Sequence, residues 1–365
     1  MEFQYQQLDF NQETTHNRKK KKIIKWGIIL FFAFLILFFG FRFGIAYYQI
    51  TVENESTWKQ IAHIFSFIDQ SGNEKEDPDY KLPAKEDSRI DILILGIRGE
   101  QDKENGGLLA DSIIILSIDT EFEKTAIISV PRDLLIKIPG LKKQEKINTV
   151  YPIDLERGSK LTLTKEITSR ISGVYIDHVI VVNMDAFAEL VETLGGITVT
   201  LQKPFEENQQ WGYPFRLEAG TQNLNGEQAL YYVRSRFSSS DFDRARRQQE
   251  IILTIKNKLL NLGILVNPLK INELIGIIQK NVKTDISAWE LQSLIRTAVG
   301  LKDVKSRRFV ISTENLLYET HINGTYVLLP LGDDFSKIKE LFQNILKDPF
   351  VNPIPITPTP TTSIN

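Results

Sequence analysis

The 365-residue chain contains no cysteine. Disulfides, thiolate metal sites and a cysteine nucleophile are all excluded by that one absence. Histidine is scarce as well: the four, His16, His63, His178 and His321, are too scattered to give the ligand spacing of a zinc site. Nor does one sign of charge dominate. The 44 Lys and Arg face 46 Asp and Glu, for a net charge of −2. The molecule as a whole therefore lacks the basic surplus of a nucleic-acid-binding protein. At this length the chain is long enough to bury a sizeable core. Runs of apolar residues long enough to cross a membrane are missing too, with one exception.

That exception is 23–48, IIKWGIILFFAFLILFFGFRFGIAYY. Its centre, Trp26–Phe41, is apolar throughout, and with Lys25 and Arg42 snorkelling the run reaches about 20 residues, a bilayer's thickness. Trp26, Tyr47 and Tyr48 stand where interfacial aromatics belong. Residues 1–22 are polar and close on Arg18, Lys19, Lys20, Lys21 and Lys22. Positive charge before a span keeps the N-terminus in the cytoplasm and exports the chain beyond the span. This explains the basic cluster better than a nucleic-acid role does. No small-x-small cleavage site comes after it, so the segment reads as an uncleaved single-pass anchor rather than a signal peptide.

Residues 49–88 read as an extracytoplasmic linker, with a short amphipathic helix around Trp58–Ile68. From Arg89 strand-like and helix-like segments alternate. Arg89–Gly96, Ser112–Ile118, Thr125–Val130, Val179–Val182, Ile197–Leu201, Arg308–Ile311 and Tyr326–Leu329 have strand character. Leu161–Ser172, Asp185–Leu194, Phe242–Leu260, Pro268–Asn281, Ser287–Leu301 and Asp334–Leu346 have helical periodicity. This predicts one α/β domain over 89–348, three layers with a central mixed sheet covered by helices. The Pro/Thr-rich tail 349–365 reads as disordered.

Charge concentrates in one stretch, Val233–Gln249, VRSRFSSSDFDRARRQQ. Arg234 and Arg236, if extended, project from the same side of the chain. From Phe242 the helical period places Arg244, Arg247 and Gln248 on one face near a helix N-terminus. Guanidinium forks and free backbone N–H groups meeting there suit a phosphate or pyrophosphate. The bland alternative is a solvated helix start on which Asp241 and Asp243 neutralise the arginines.

Three blocks together resemble the LytR–CpsA–Psr family of cell-wall phosphotransferases. They are Asp91–Ile118, DILILGIRGEQDKENGGLLADSIIILSI; Ser129–Asn148, SVPRDLLIKIPGLKKQEKIN; and Gly226–Gln249, GEQALYYVRSRFSSSDFDRARRQQ. The resemblance implies an enzyme on the outer membrane face that moves a glycopolymer from a polyprenyl-pyrophosphate carrier to a wall acceptor such as peptidoglycan. It implies a divalent cation, usually Mg²⁺, and a hydrophobic pocket for the lipid between sheet and helices. The apolar positions of Ile251–Val266 read mostly as core, and the resemblance implies that part of that face is either core or lining of that pocket. By motif position Asp111 corresponds to the family's metal-binding aspartate. Arg132, Arg234, Arg236, Arg244 and Gln248 correspond to its pyrophosphate-binding residues, and Asp111, Arg132, Arg234 and Arg244 to its catalytic set. Lys146 and Asn148 either line the same site or stabilise its turn.

The chain departs from the family pattern in two places. Gly96-Ile97-Arg98 has arginine where a second metal carboxylate is common, with Glu100 and Asp102 nearby as substitutes. Leu109-Ala110-Asp111-Ser112 lacks the arginine that usually precedes the metal aspartate. Two other readings use the same residues: a lipid-pyrophosphate hydrolase with water as acceptor, and a non-catalytic protein that binds the lipid carrier or wall polymer.

Overall fold

The computed structural model describes residues 81–261, 276–277, 281–301 and 303–349. The anchor 23–48, the linker helix 58–68, most of the helix 268–281 and the tail beyond 349 lie outside them. Among the described residues no helix is long and apolar enough to cross a membrane.

The chain begins with an antiparallel meander, β1 (Arg89–Ile97), β2 (Ser112–Asp119) and β3 (Lys124–Val130). Two short strands, β4 (Leu135–Ile136) and β5 (Glu145–Lys146), pair beyond it and lead into α1 (Val150–Glu156) and α2 (Thr162–Ser172). Next come β6 (His178–Asn183), α3 (Met184–Thr193), and the strands β7 (Ile197–Leu201), β8 (Phe205–Glu207), β9 (Phe215–Leu217) and β10 (Gly220–Leu224). Helices α4 (Gly226–Arg234) and α5 (Asp241–Asn261) follow. The last part holds β11 (Val282–Thr284), α6 (Ala288–Gly300), β12 (Arg307–Val310), the hairpin β13 (Leu317–Ile322) and β14 (Thr325–Pro330), and α7 (Ser336–Asn344).

The central sheet has the order β11-β6-β1-β2-β3-β12. β1 is parallel to β6, and β3 to β12, while β2 and β11 run against their neighbours. The sheet is therefore mixed. One face sends Leu93, Leu95, Ile115, Ile128 and Val179 into a core with Ile167 of α2 and Ile338 and Phe342 of α7. Each such fully buried side chain contributes about 1.5–3 kcal/mol.

The opposite face is less completely covered. Ile92, Ile114 and Ile127 are buried there, whereas Ile94, Leu116, Ile180 and Val182 remain half-exposed. At its β3–β12 edge α5 is pinned by the buried amide of Gln249, which donates to Ser129 Oγ and Phe309 O, both at 2.8 Å. A second, smaller core joins Val191 of α3, Val199, Leu217, Tyr232 of α4 and Ile251 of α5.

A buried ion pair closes one end of β1. Asp91 accepts from Arg89 Nε at 2.6 Å and from Ser117, and its N–H donates to Asp177 at 2.9 Å. Burial pushes the Asp91 carboxyl up, against the opposing pull of Arg89 and Ser117. The other end of β1 is where the family blocks converge.

Candidate functional site

Since β1, β3, β6 and β12 run in one direction, their carboxyl ends share an edge of the sheet, the usual place for a ligand in an α/β fold. Asp111 sits at this edge, just before β2. Its N–H donates to Gly96 O at 2.9 Å, and the N–H of Ala110 donates to Asn148 O at 3.0 Å. The loop behind it closes tightly at Gly107, where a Cβ would stand 2.4 Å from Gly99 O. Only glycine fits there. Pro131 ends β3, and the Arg132 carbonyl after it accepts from Asn148 N at 3.3 Å. Lys146 Nζ clamps the Asp133 carboxylate at 2.6 Å. The Lys-Ile-Asn element thus builds the turn that presents Arg132.

Arg132 Nη1 donates to Asp111 Oδ1 at 2.6 Å, and its Nε faces Asp241 at 3.6 Å. Burial works to lower the Arg132 pKa, but Asp111, Asp241 and Asp133 outweigh it and raise it. Arg244, one turn into α5, is buried. It lies 3.4 Å from Asp241 Oδ1 and donates to Asp111 O at 3.3 Å. Burial lowers the Arg244 pKa first, and the charges of Arg132 and Arg236 lower it further against the pull of Asp241 and Asp111. For Arg234 burial again comes first, followed by attraction to Asp111 and repulsion from Arg98. Arg132, Arg234 and Arg244 therefore all respond to Asp111, while Arg98 acts on Arg234 and Arg236 on Arg244. Such crowding favours an anion that carries several oxygens.

A cleft of about 30 Å³ opens beside Arg132 and Arg244, lined also by Asp111, Ser112, Asp241 and Gln248. That is room for roughly a water molecule or a single oxygen-bearing group. A far larger groove, about 760 Å³, lies between α3 and α4 with Glu189, Glu192, Glu227 and Leu230 on its walls. Its acidic rim is ill suited to a phosphate, so the small cleft is the better centre for chemistry.

Several sequence-based expectations change. Arg234 and Arg236 do not project from one side of an extended chain: Ala229–Arg234 is helical, Arg234 is the last residue of α4, and Arg236 follows in the loop. Arg247 does not share Arg244's role. It is buried and donates to Tyr232 O at 2.9 Å and to Ser235 O, tying α5 to the end of α4. Gln248 lines the cleft but donates its amide to Val233 O at 3.2 Å.

The start of α5 is already capped. Ser240 Oγ accepts from Asp243 N at 3.0 Å and the Asp243 carboxylate reaches back to Ser240 N, so Asp243 belongs to the cap. Arg246 fits the bland alternative, exposed and paired with Asp243 and Glu314. Neither candidate substitute carboxylate is directed to Asp111: Asp102 pairs with Arg98 at 2.5 Å and Glu100 pairs with Lys283. Sequence reasoning misses Trp211, whose ring lies 4.9 Å from Arg234 Cζ.

Among the described residues no three His, Asp or Glu side chains group as a metal cage. Asp111 is one carboxylate, 30 % exposed and engaged by Arg132. This donor set suits a hard cation such as Mg²⁺ only if phosphate oxygens and water complete the shell, an ordinary arrangement for that ion.

The profile of the LytR_cpsA_psr family matches residues 54–344. The chain belongs to this family. It is 31% identical over 332 residues to the polyisoprenyl-teichoic acid–peptidoglycan teichoic acid transferase TagU of Bacillus licheniformis, covering 88% of this chain and 97% of that one. TagU of Bacillus subtilis is 30% identical over 337 residues, 90% of this chain and 98% of its own. The crystal structure of B. subtilis TagV superimposes with a TM-score of 0.57 at 25% identity, over 72% of this chain and 98% of that one. The mixed sheet with its helices is thus the family's fold.

Proposed function

We propose that this chain is a phosphotransferase that moves a glycopolymer from a polyprenyl-pyrophosphate carrier to a cell-wall acceptor such as peptidoglycan. The observation that carries the reading is the meeting of Arg132 and Arg244 at Asp111, on the carboxyl edge of the sheet, with Arg234 near enough to respond to the Asp111 charge and Arg236 near enough to act on Arg244. In the reaction an acceptor hydroxyl oxygen attacks the glycan-side phosphorus. The bond from that phosphorus to the bridging oxygen breaks, polyprenyl phosphate leaves with the electron pair, and the acceptor's proton is released to solvent. Charge builds on the bridging and equatorial oxygens, and positioned guanidiniums stabilise it. Arg132, Arg234 and Arg244 bind those oxygens. Arg236 and Gln248 flank them, and Asp111 would hold Mg²⁺ or a similar divalent cation, whose chemistry is to neutralise developing phosphate charge.

The half-exposed apolar face formed by Ile94, Leu116, Ile180 and Val182 supports a berth for the lipid chain, because the same face ends at Gly96 and Ser112 beside Asp111. The reading places the domain outside the cell, held by the anchor 23–48 with the N-terminus in the cytoplasm. The full-length chain, given a defined lipid-pyrophosphate saccharide and a peptidoglycan fragment, should yield the phosphodiester-linked conjugate by mass spectrometry. Free glycan phosphate in the presence of acceptor would identify a hydrolase instead. No turnover with tight lipid binding would identify a carrier protein.

A further inference from the structure

We propose that Trp211 and Tyr213 form a saccharide-binding shelf beside Arg234, which takes the first pyranose ring attached to the pyrophosphate. This rests on the phosphotransferase reading and adds to it the group that the glycan end of the substrate meets.

The shelf is a built feature. The Trp211 ring stacks on Tyr231 of α4 at 4.4 Å with 24° between planes, and Tyr213 meets the same Tyr231 edge-on at 5.8 Å. The indole N–H of Trp211 donates to Ser235 Oγ at 3.3 Å, and Ser235 in turn donates to Tyr231 O at 2.6 Å, fixing the ring's direction. The loop below is anchored to the arginine-bearing segment. The buried Glu207 carboxylate accepts from Gln209 N and Phe237 N at 3.0 Å and from Ser238 N at 3.2 Å, and Gln210 Oε1 accepts from Arg236 N at 3.1 Å. Loop and arginines therefore hold a common frame.

Burial accounts for these two rings only in part: Trp211 packs one side against the second core, and Tyr213 does not join it. The core beneath is made by Phe215, Leu217, Tyr232 and Ile251, whereas Trp211 is half-buried and Tyr213 is 45% exposed. A half-buried indole oriented by a hydrogen bond, with an exposed tyrosine ring set beside it on the same Tyr231, is an arrangement for binding as well as for packing. Their chemistry suits a pyranose, whose C–H faces are apolar and slightly positive while the aromatic face is slightly negative. Position selects the sugar nearest the phosphate. Arg234 Cζ lies 4.9 Å from the Trp211 ring and its guanidinium responds to the charge of Asp111. A ring joined through one oxygen to a phosphate on Arg234 falls beside the shelf.

The test is calorimetric titration of the full-length chain with polyprenyl pyrophosphate and with the same lipid carrying a disaccharide. The wild type should prefer the glycosylated lipid by about tenfold, the scale of one good aromatic contact. Tyr213→Ala and Trp211→Ala should remove most of that preference, and Trp211→Phe should keep it. Tyr213→Ala is the cleaner variant, since Trp211 also touches Arg234. A preference that survives both alanine variants overturns the shelf, as does an equal loss for both lipids. Wild type that binds both lipids equally overturns the shelf alone; wild type that binds neither removes the phosphotransferase reading with it.

Discussion

Arg132 donates to the Asp111 carboxylate across 2.6 Å, while its buried Nε has no hydrogen-bond partner. Each residue serves as the other's counter-ion. A pyrophosphate that takes Arg132 must draw it from Asp111, and a cation that takes Asp111 must draw it from Arg132. Either ligand alone breaks the 2.6 Å contact without replacing it for both partners, a loss that Asp133 and Asp241, at 3.5 and 3.6 Å from Arg132, offset only in part. Arriving together, they exchange one ion pair for two. The small cleft opens beside this pair.

Arg234→Ala and Arg244→Ala should each nearly abolish transfer while the domain stays folded, since each removes a charge-assisted contact worth about 2–4 kcal/mol in the transition state. Lysine should rescue poorly because a point charge lacks the fork. Steady-state kinetics with circular dichroism as the folding control decides this. Wild-type turnover in both alanine variants sinks the proposed mechanism.

Arg247 and Arg246 should separate in the opposite manner. Arg247 satisfies the Tyr232 and Ser235 carbonyls from a buried position, so Arg247→Ala should destabilise the fold by about 2–4 kcal/mol. Arg246 is 49% exposed, and its alanine variant should stay within about 0.5 kcal/mol of wild type. Equal denaturation midpoints for the two variants would show that Arg247 is not a clamp.

Legibility in the sequence depends on which interactions are local. The apolar strands of the central sheet and the long helix from Asp241 are visible through period and composition. The Val-Arg-Ser-Arg stretch is not. Whether its arginines sit on extended or helical backbone is left open by the period, although Asn225 and Gln228 carry the signature of a helix start. In the structure they form a reciprocal capping box that opens α4. The family motifs locate Asp111, Arg132, Arg234 and Arg244. Helical period alone does not tell Arg244 from Arg247, three residues apart on one helix, because their partners come from distant segments. Nor does it show that Asp102 and Glu100 turn to Arg98 and Lys283. Trp211 gives no periodic signal, since its place beside Arg234 depends on the fold of the preceding strands.

Glu207 gives a pH-dependent handle on the aromatic loop. Burial would raise its pKa, but the backbone N–H groups of Gln209, Ser238 and Phe237 hold it below the ordinary glutamate value of 4.5. A depressed carboxyl contributes stability that is present above the unfolded value and lost as pH falls through the folded one. Glu207→Gln should therefore cost about 2 kcal/mol at neutral pH. The gap to wild type should narrow as pH falls below 4.5. Urea titrations at several pH values measure the gap, and a gap independent of pH would assign the loss to shape rather than charge.

The purified full-length chain should carry a polyprenyl phosphate, because each buried CH₂ contributes about 0.8 kcal/mol and a long chain outweighs its ordering cost. Organic extraction and mass spectrometry provide the test. A chain that neither retains lipid nor binds added polyprenyl pyrophosphate would count against the berth on the half-exposed sheet face.

The Arg132–Asp111 pair also sets the expected behaviour of the cation. With Asp111 as its one strong protein ligand, Mg²⁺ should bind the lipid-free protein weakly, and tightly once the pyrophosphate supplies oxygens. Thermodynamic linkage then requires each ligand to raise the other's affinity by the same factor. Asp111→Asn should abolish that coupling. Glu100→Gln and Asp102→Asn should leave it in place, because those carboxylates are engaged by Lys283 and Arg98. Calorimetric titration of Mg²⁺ with and without lipid, on the wild type and the three variants, reads the coupling without relying on turnover. Loss of coupling in Glu100→Gln or Asp102→Asn would mean that a loop carboxylate swings to the cation when substrate binds. If Mg²⁺ changes neither lipid affinity nor transfer in the wild type, the cation has no part in this site. Charge stabilisation would then fall to the guanidiniums alone, with Arg98 standing where relatives commonly place a metal carboxylate.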